Sequence, residues 1–347
     1  MNLLAGPTQM LVIRLSSLGD VVLTTPILRL LRTHYPMAQI DFMTKAAYHD
    51  LLRAHPCVDR VILFEAEHGI RQTLRTLRQT RYDLVLDLHR TLRSRLLVHG
   101  LRARRTLVYR KQTIRRALLV RLGWNTLQAM TPVPVRYAAP LRRLGITAPL
   151  PPTDIQVTPE SQAAMRAYVQ QRYPGRDGPA LLAVAPGAGW PTKQWPVERF
   201  AAAVQQVAYE HQAAVVVLGS AAERPLAEAL AQHLSVPVLH SAGQLPLMHT
   251  AALLQQCRLL LSNDSGLMHL ATALQVPVVA VFGPTVQEFG FYPFQAKAVV
   301  VSAILDCRPC STKGSRQCPR GHHQCMQQVS VPQVVAAARG LWQGERG

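Results

Sequence analysis

Asp20 is the first residue of the chain whose type and position could support catalysis. It follows the stretch RLSSLG at the expected start of a helix. A carboxylate there could accept a proton from an attacking hydroxyl group, which would make Asp20 a general base. The same position suits a helix cap, because backbone amides and the helix dipole favour a carboxylate's charge, lower its pKa and weaken it as a base. By position alone, the cap is the simpler interpretation.

A glycine-rich stretch, PGAGWPTKQWPVERF, begins where a predicted strand over 181–185 ends. Glycines allow backbone amides to approach a phosphate, and a lysine can offset the charge of a departing pyrophosphate. The stretch matches neither of the standard phosphate-binding fingerprints, and its tryptophans could simply be packing residues. Its candidate phosphate-binding residues are Gly187, Gly189, Thr192 and Lys193.

A third motif, LLLSNDSGLMHLATAL, joins a buried strand to an apolar helix. Free N–H groups at the helix start could hold an anion, and Asp264 could bind ligand hydroxyls or only cap the helix. His269 could be an ordinary, partly buried histidine. The candidate ligand residues are Asp264, Ser265, Gly266 and His269.

Glu223 follows the stretch VVVLGSAA, just beyond another predicted strand end. Acidic residues at such positions often bind ribose hydroxyls, although an exposed glutamate at a helix start is the simpler interpretation. No Asp-x-Asp pair that could hold a metal on a nucleotide diphosphate stands at a strand end. Phosphate neutralisation is therefore expected from Lys193 and helix termini, without a metal.

Six cysteines occur, and four of them share the stretch CRPCSTKGSRQCPRGHHQC with two histidines. In a cytoplasmic protein this pattern resembles a small zinc-binding loop more than a pair of disulfides. The spacing matches no standard zinc finger, so a structural zinc is left open. The residues concerned are Cys307, Cys310, Cys318, Cys325, His322 and His323.

The positive charge of the chain is concentrated in its first half. The formal net charge is +19, and fourteen Lys or Arg residues with no acidic residue lie between Asp87 and Asp154. This composition predicts a basic face that binds a polyanion, which could be a nucleic acid, anionic lipid headgroups or a phosphorylated acceptor. A solvated arginine-rich surface without a ligand is the alternative.

Alternating strand and helix patterns predict two doubly wound, Rossmann-like α/β domains, because 347 residues exceed the usual size of one core. Helices are predicted over 70–79 and 160–172. The proline-rich segment 131–159 is expected to link the domains, which would span 1–158 and 159–330. Strands are predicted over 10–15, 39–44, 60–64, 82–88, 106–109, 180–186, 213–219, 259–264 and 276–283.

Together, IRLSSLGDVVLTTPILRLLR, PGAGWPTKQWPVERF and LSNDSGLMHLATALQVPVVAVFGPT closely resemble the ADP-heptose:lipopolysaccharide heptosyltransferase family, glycosyltransferase family nine. The resemblance implies a GT-B fold, with two Rossmann-like domains facing a cleft and a C-terminal helix, 331–347, that could pack back on the first domain. It implies an acceptor on the N-terminal domain, a nucleotide sugar mainly on the C-terminal domain, and inversion at the anomeric carbon. On matching positions, it makes Asp20 the base, Thr192 and Lys193 phosphate contacts, Glu223 a ribose contact, and Asp264, Ser265, Gly266 and His269 donor-site residues.

The implied partners are a nucleotide-diphosphate sugar and the anionic core of lipopolysaccharide. No secretory signal is seen, so a cytoplasmic protein is expected, with peripheral contact to the inner membrane surface and no nucleic acid. A nucleotide-sugar epimerase of similar architecture would instead need no acceptor. A non-enzymatic polyanion-binding protein would use the arginine block, but few aromatic residues interleave with those arginines.

Overall fold

The computed structural model describes residues 6–65, 67–127, 130–175 and 178–343. Its contacts divide the chain into two compact units. The first unit comprises residues 1–111 and 133–156, and the second comprises 112–132 and 157–347. The chain therefore passes between the units three times, whereas the sequence predicts a single boundary after residue 158.

The first unit contains a parallel sheet of five strands within the described residues, in the order β3-β2-β1-β4-β5. The order reverses between β1 and β4, and in open α/β sheets ligands bind beyond the carboxyl ends of the strands at such a reversal. The strands are β1 (Gln9–Ile13), β2 (Gln39–Thr44), β3 (Arg60–Leu63), β4 (Leu84–Asp87) and β5 (Arg105–Val108). The helices are α1 (Leu18–Val22), α2 (Thr25–His34), α3 (His49–Arg53), α4 (Gly69–Leu77), α5 (Leu92–Leu101) and α7 (Val133–Ala138).

The second unit contains a parallel sheet of six described strands, in the order β11-β10-β9-β6-β7-β8, which reverses between β9 and β6. The strands are β6 (Leu181–Ala185), β7 (Ala214–Val217), β8 (Val238–His240), β9 (Leu259–Asn263), β10 (Val278–Val281) and β11 (Ala298–Val301). The helices are α6 (Thr113–Leu122), α8 (Pro159–Arg172), α9 (Val197–Glu210), α10 (Arg224–Gln232), α11 (Leu247–Gln256), α12 (Gly266–Ala273), α13 (Gln324–Gln327) and α14 (Val331–Gln343).

The central strands are apolar runs that are buried along their whole length. All five residues of β6 and of β9 are buried, and four of the five residues of β1 are. Helices cover both faces of a parallel sheet, so continuous Leu, Val and Ala sequences are the expected pattern. This burial fixes the strand ends, and the loops that follow those ends carry the candidate site residues.

The segment expected to be a linker is largely part of the first unit. Asp154 accepts a hydrogen bond from Arg29 Nε at 2.9 Å, and its backbone N–H donates to Thr25 Oγ1 at 3.0 Å. Tyr137 of α7 is 1% exposed. Proline content suggested a connection, but buried side chains and a carboxylate pairing with α2 anchor residues 133–156 to the sheet.

The terminal helix corrects a second expectation. Described residues of α14, among them Val334, Ala338 and Trp342, belong to the buried core of the second unit, together with Leu261 and Val279. The sequence had suggested that this segment returns to the first unit. Its apolar face instead packs on α9, β10 and β11. In the described part of the chain, no helix has both the length and the apolar character needed to cross a bilayer.

Candidate functional site

Asp20 lies in α1, just beyond the carboxyl end of β1, and four groups hold its carboxylate. Arg14 Nη2 lies 2.7 Å from Oδ1, and the Tyr137 hydroxyl donates to the same oxygen at 3.1 Å. The hydroxyl and backbone N–H of Ser17 donate to Oδ2 at 2.9 and 3.3 Å. The Asp20 side chain keeps 18% of its surface exposed, so a ligand can still reach it.

These partners make Asp20 an ionised carboxylate at neutral pH. Burial alone would raise the pKa of Asp20, but the Arg14 charge and the hydrogen bonds from Ser17 and Tyr137 outweigh it and hold the pKa below the ordinary value of 3.8. Arg14 is itself fixed, because Nη1 donates to the Leu88 carbonyl at 2.6 Å and Nε to the Ser16 carbonyl at 2.9 Å.

Two basic side chains lie near enough to Asp20 to interact with its charge. Burial, together with the positive charges of Arg14 and Lys111, lowers the pKa of His89 to about 4, so its imidazole is neutral at neutral pH. Burial and the Arg14 charge also lower the pKa of Lys111, while Asp20 and Asp87 oppose that shift. The first unit therefore brings a carboxylate, a neutral imidazole and an amine to the reversal point of its sheet.

Sequence reasoning found Asp20 but missed Arg14 and Tyr137. Arg14 directly follows β1, the type of position that parallel-sheet topology favours for a site. Tyr137 lies 117 residues after Asp20, inside the segment interpreted as a linker. The proline content of that segment predicted a linker, so no site residue was expected there.

In the second unit, Asn263 joins the glycine-rich loop to the end of β9. Its Nδ2 donates to the Pro186 carbonyl at 2.7 Å, and its Oδ1 accepts from the Trp195 N–H at 3.0 Å. A Cβ at Gly187 would lie 2.1 Å from Glu223 Oε1, so any larger residue would require the Glu223 carboxylate to move. The structure thus brings Gly187 and Glu223 together, and Gly189 is exposed beside them.

Lys193 and Asp264, predicted from separate motifs, form an ion pair. Lys193 Nζ lies 2.6 Å from Asp264 Oδ2, which also accepts from Thr285 Oγ1 at 2.8 Å. Lys193 is 14% exposed and Asp264 8% exposed. The lysine charge is thus neutralised by a nearby carboxylate that an incoming anion could replace.

The start of α12 lies next to this pair. Ser265 caps the helix, with its Oγ accepting from the Met268 N–H at 3.4 Å, and Gly266 is its first residue. His269 is buried one turn later, with its ring 6.5 Å from that of Phe291. The free N–H groups expected at a helix start could hold an anion here.

Thr192 is buried and anchors the cysteine segment, which we define as residues 307–325. Thr192 Oγ1 donates to the Ser315 carbonyl at 2.9 Å and accepts from the Ser315 N–H at 2.8 Å, and the Thr192 carbonyl lies 2.9 Å from His323 Nε2. A cavity of about 360 Å³ lies between Pro191, Thr192 and residues 316–323. The sequence pattern gave no sign that the cysteine segment contacts the glycine-rich loop, but the two pack together in the structure.

The cysteines of this segment are free thiols in the structure. Burial, with nearby thiols adding to it, raises the pKa of Cys325 to about 11 and also raises that of Cys310. Over residues 6–65, 67–127, 130–175 and 178–343, no three or more His, Cys, Asp or Glu side chains are arranged to hold a metal ion. Zinc binding by this segment stays a hypothesis.

The sequence matches the family model of glycosyltransferase family 9 (heptosyltransferase) over residues 70–319. The chain belongs to this family. The resemblance inferred from three motifs is thereby confirmed, and the protein is a glycosyltransferase of the heptosyltransferase family.

Curated relatives of this family match most of the chain. Lipopolysaccharide heptosyltransferase 1 of Pseudomonas aeruginosa is 30% identical over 333 residues, which cover 88% of this chain and 86% of that protein. Lipooligosaccharide heptosyltransferase 2 of Haemophilus ducreyi is 27% identical over 343 residues, which cover 94% of this chain and 97% of that protein.

Solved structures of family 9 proteins share the fold. A glycosyltransferase family 9 protein of Veillonella parvula superposes with a TM-score of 0.79 at 23% identity, covering 96% of this chain and 97% of the other. ADP-heptose lipopolysaccharide heptosyltransferase II of Escherichia coli gives a TM-score of 0.74 at 24% identity, covering 96% and 98%. The predicted fold class, two parallel-sheet α/β domains of GT-B type, is confirmed.

Proposed function

We propose that this heptosyltransferase moves a heptose from ADP-heptose to the inner core of lipopolysaccharide, with Asp20 as general base and inversion at the anomeric carbon. The names of the relatives support the donor and acceptor classes. The observation that carries the base assignment is the geometry of Asp20, a partly exposed and ionised carboxylate beyond the end of β1.

In the proposed step, an acceptor hydroxyl attacks the anomeric carbon of the heptose and its proton passes to Asp20. The bond between that carbon and the ADP oxygen breaks on the opposite face, and ADP leaves with the electron pair. The low pKa of Asp20 makes it a weak base towards a resting hydroxyl. Its proton transfer therefore occurs late, when bond formation has made the hydroxyl acidic. Arg14 and Tyr137 keep the Asp20 carboxylate ionised and fix its orientation.

The donor would bind to the second unit. Its pyrophosphate would take the place of Asp264 as the partner of Lys193, and the N-terminus of α12 at Ser265 and Gly266 would add partial positive charge. Asp264, Glu223 and His269 would then be available to contact the sugar and ribose. Thr192 would act by holding the loop, because its hydroxyl is bonded to Ser315. These groups supply the charge stabilisation that ADP needs, so we propose turnover without added metal.

The acceptor would bind to the first unit, where Lys111 interacts electrostatically with Asp20, Asp87 and Arg90. Core phosphates and acidic sugars suit these positive charges. An acceptor anchored in a bilayer also requires the enzyme to work at a membrane surface, so we propose peripheral contact with the cytoplasmic face of the inner membrane.

The test is an incubation of the purified protein with ADP-heptose and a heptose-free lipopolysaccharide acceptor, in a chelator and without added metal. Acceptor mass, ADP release and the anomeric configuration of the product are followed together. We expect a gain of one heptose per ADP, with the configuration inverted relative to the donor. The matched control is the same incubation without acceptor.

Three results would contradict the proposal. A product with the same anomeric configuration as the donor would exclude a single displacement. Consumption of ADP-heptose without acceptor would favour an epimerase. Absence of transfer to this acceptor and to a heptose-bearing one would leave only the family assignment.

A further inference from the structure

Helix α6 carries apolar side chains on a face that no part of the described chain covers. Ile114 is 77% exposed and Leu122 is 54% exposed, and Leu118 between them is half-buried. These residues are spaced four apart, so they form one stripe along the helix. Trp124 follows the helix and is 63% exposed.

The opposite face of α6 explains how the helix is held. Leu119 is buried with Phe289, and Val120 packs against the same cluster. Arg116 Nη2 donates to the Phe289 carbonyl at 3.1 Å, and its guanidinium lies over the Phe289 and Phe291 rings. The stripe is therefore an outward face of a firmly packed helix.

Charge flanks the apolar stripe on both sides. At 100° per residue, Arg115 and Arg121 lie on either side of the line through Ile114, Leu118 and Leu122, and both arginines are exposed. No acidic residue occurs between Asp87 and Asp154 in the sequence. In space, Glu288 lies near the end of this surface, where its Oε1 accepts from Asn125 Nδ2 at 3.4 Å. An apolar stripe bordered by arginines and followed by tryptophan is the pattern of a helix that lies in a membrane interface.

We propose that the outward face of α6, with Trp124, docks on a bilayer surface that contains anionic lipids. The apolar side chains enter the boundary between headgroups and acyl chains, and Arg115 and Arg121 pair with lipid phosphates. This inference deepens the proposed function by naming the element that meets the membrane, and it rests on that function for its purpose. The surface lies entirely in the second unit.

The first test measures binding of the whole protein to vesicles of phosphatidylethanolamine with phosphatidylglycerol, by flotation. The variant Arg115→Gln/Arg121→Gln should bind about 25-fold more weakly, because each arginine near an anionic surface contributes about fivefold. The variant Ile114→Ser/Trp124→Ser should bind at least about tenfold more weakly through lost apolar burial. Vesicles of phosphatidylcholine alone should bind the wild-type protein weakly.

Matched controls remove similar side chains elsewhere in the second unit. The variant Tyr209→Ser/Ile304→Ser removes apolar residues that are 77% and 97% exposed, and Arg166→Gln/Arg320→Gln removes two exposed arginines. Both controls should bind vesicles as the wild type does. Circular dichroism and ADP affinity check that every variant is folded.

Transfer to a lipid-free oligosaccharide acceptor separates this inference from the proposed function. The α6 variants should keep that activity within about twofold, since none of the altered residues is assigned to the site. Vesicle binding that is absent in the wild type, or equal in α6 variants and controls, would overturn the inference. A wild-type dimer that dissociates in the Ile114→Ser/Trp124→Ser variant would also overturn it, since the face would then bind a second copy of this chain.

Discussion

At the residue scale, the two roles considered for Asp20 are compatible. Asp20 Oδ2 accepts the Ser17 N–H, as a capping residue does, while Oδ1 contacts Arg14 and Tyr137. The position of Asp20 in sequence shows only the first role. The contacts of Oδ1, on which the proposed base role rests, come from a residue six positions earlier, beyond a strand end, and from one 117 positions later, and neither relation leaves a local pattern.

Tyr137→Phe tests how the partners of Asp20 set its protonation. The wild-type pKa is lowered, so the midpoint of the acid limb of kcat/KM should lie below the ordinary value of 3.8. Removing the tyrosine hydroxyl raises the pKa of Asp20, so this acid limb should move to higher pH. The rate at neutral pH should fall by about tenfold or less.

The control for this variant is Tyr82→Phe. Tyr82 is buried in the same unit and donates to Asp41 Oδ2 at 2.6 Å, so the change removes the same kind of bond away from Asp20. It should leave the acid limb where it is. The lowered pKa of Asp20 also affects the stability of the fold. A carboxylate whose pKa is lowered by folding stabilises the folded state above its unfolded pKa, and this contribution is lost as the pH falls through the folded pKa. If the acid limb of kcat/KM stays at the same pH in Tyr137→Phe, the Tyr137 hydroxyl does not help to set the pKa of Asp20.

At the element scale, strands that are apolar throughout were the most predictable part of the fold. The strand β2 was predicted at its observed bounds, and the other predicted strands overlap β1, β3 to β7, β9 and β10. The strands β8 and β11 were missed, because each is short and at a sheet edge, where burial is incomplete. Motifs at strand ends predicted candidate site residues on the loops after β6 and β9, but not that Lys193 would pair with Asp264.

Thr192→Val tests the attachment of the cysteine segment to the glycine-rich loop. The change keeps the side-chain shape and removes the hydroxyl that bonds the Ser315 N–H and carbonyl. The Ser315 carbonyl keeps the Thr192 backbone N–H at 3.3 Å, but the Ser315 N–H loses its partner, which should cost about 1–3 kcal/mol. Hydrogen exchange of residues 311–318 should accelerate, and donor affinity should fall as the loop loosens.

The matched control is Thr250→Val in α11, whose hydroxyl donates to the carbonyl of the N-cap residue Pro246 at 3.2 Å. Its effect should stay local to that helix. Equal exchange of residues 311–318 in Thr192→Val and the wild type would mean that other contacts, such as that of Lys313 with Trp190, hold the segment.

At the scale of the whole molecule, two α/β domains were predictable from chain length and from the restart of the strand pattern. The routes between them were not. Residues 112–132 follow directly from the first sheet yet belong to the second unit, while 133–156 return to the first. Such crossings depend on which core accepts each apolar face, and a single sequence does not specify that choice.

Trp342→Ala tests the position of α14. The Trp342 indole stacks on His211 at 4.6 Å between ring centroids and is 7% exposed, so truncation should destabilise the second unit by about 3 kcal/mol. In thermal unfolding, ADP should stabilise the transition of the unit that binds it. Trp342→Ala should lower that ADP-dependent transition.

Tyr209→Ala on α9 is the control, because this aromatic residue is 77% exposed and its loss should change stability little. If Trp342→Ala lowered only a transition that ADP does not affect, the placement of α14 or the assignment of the donor to the second unit would be wrong.

The most direct test of the account is to measure the rate of heptose transfer and the Kd for ADP-heptose in Asp20→Asn. Asp50→Asn, a change at another helix-start carboxylate that is 61% exposed, is the control. Because a base acts in the transition state, the rate should fall by at least about 100-fold while the Kd stays within about twofold. Near wild-type transfer by Asp20→Asn would contradict the account and leave Asp20 as a helix cap.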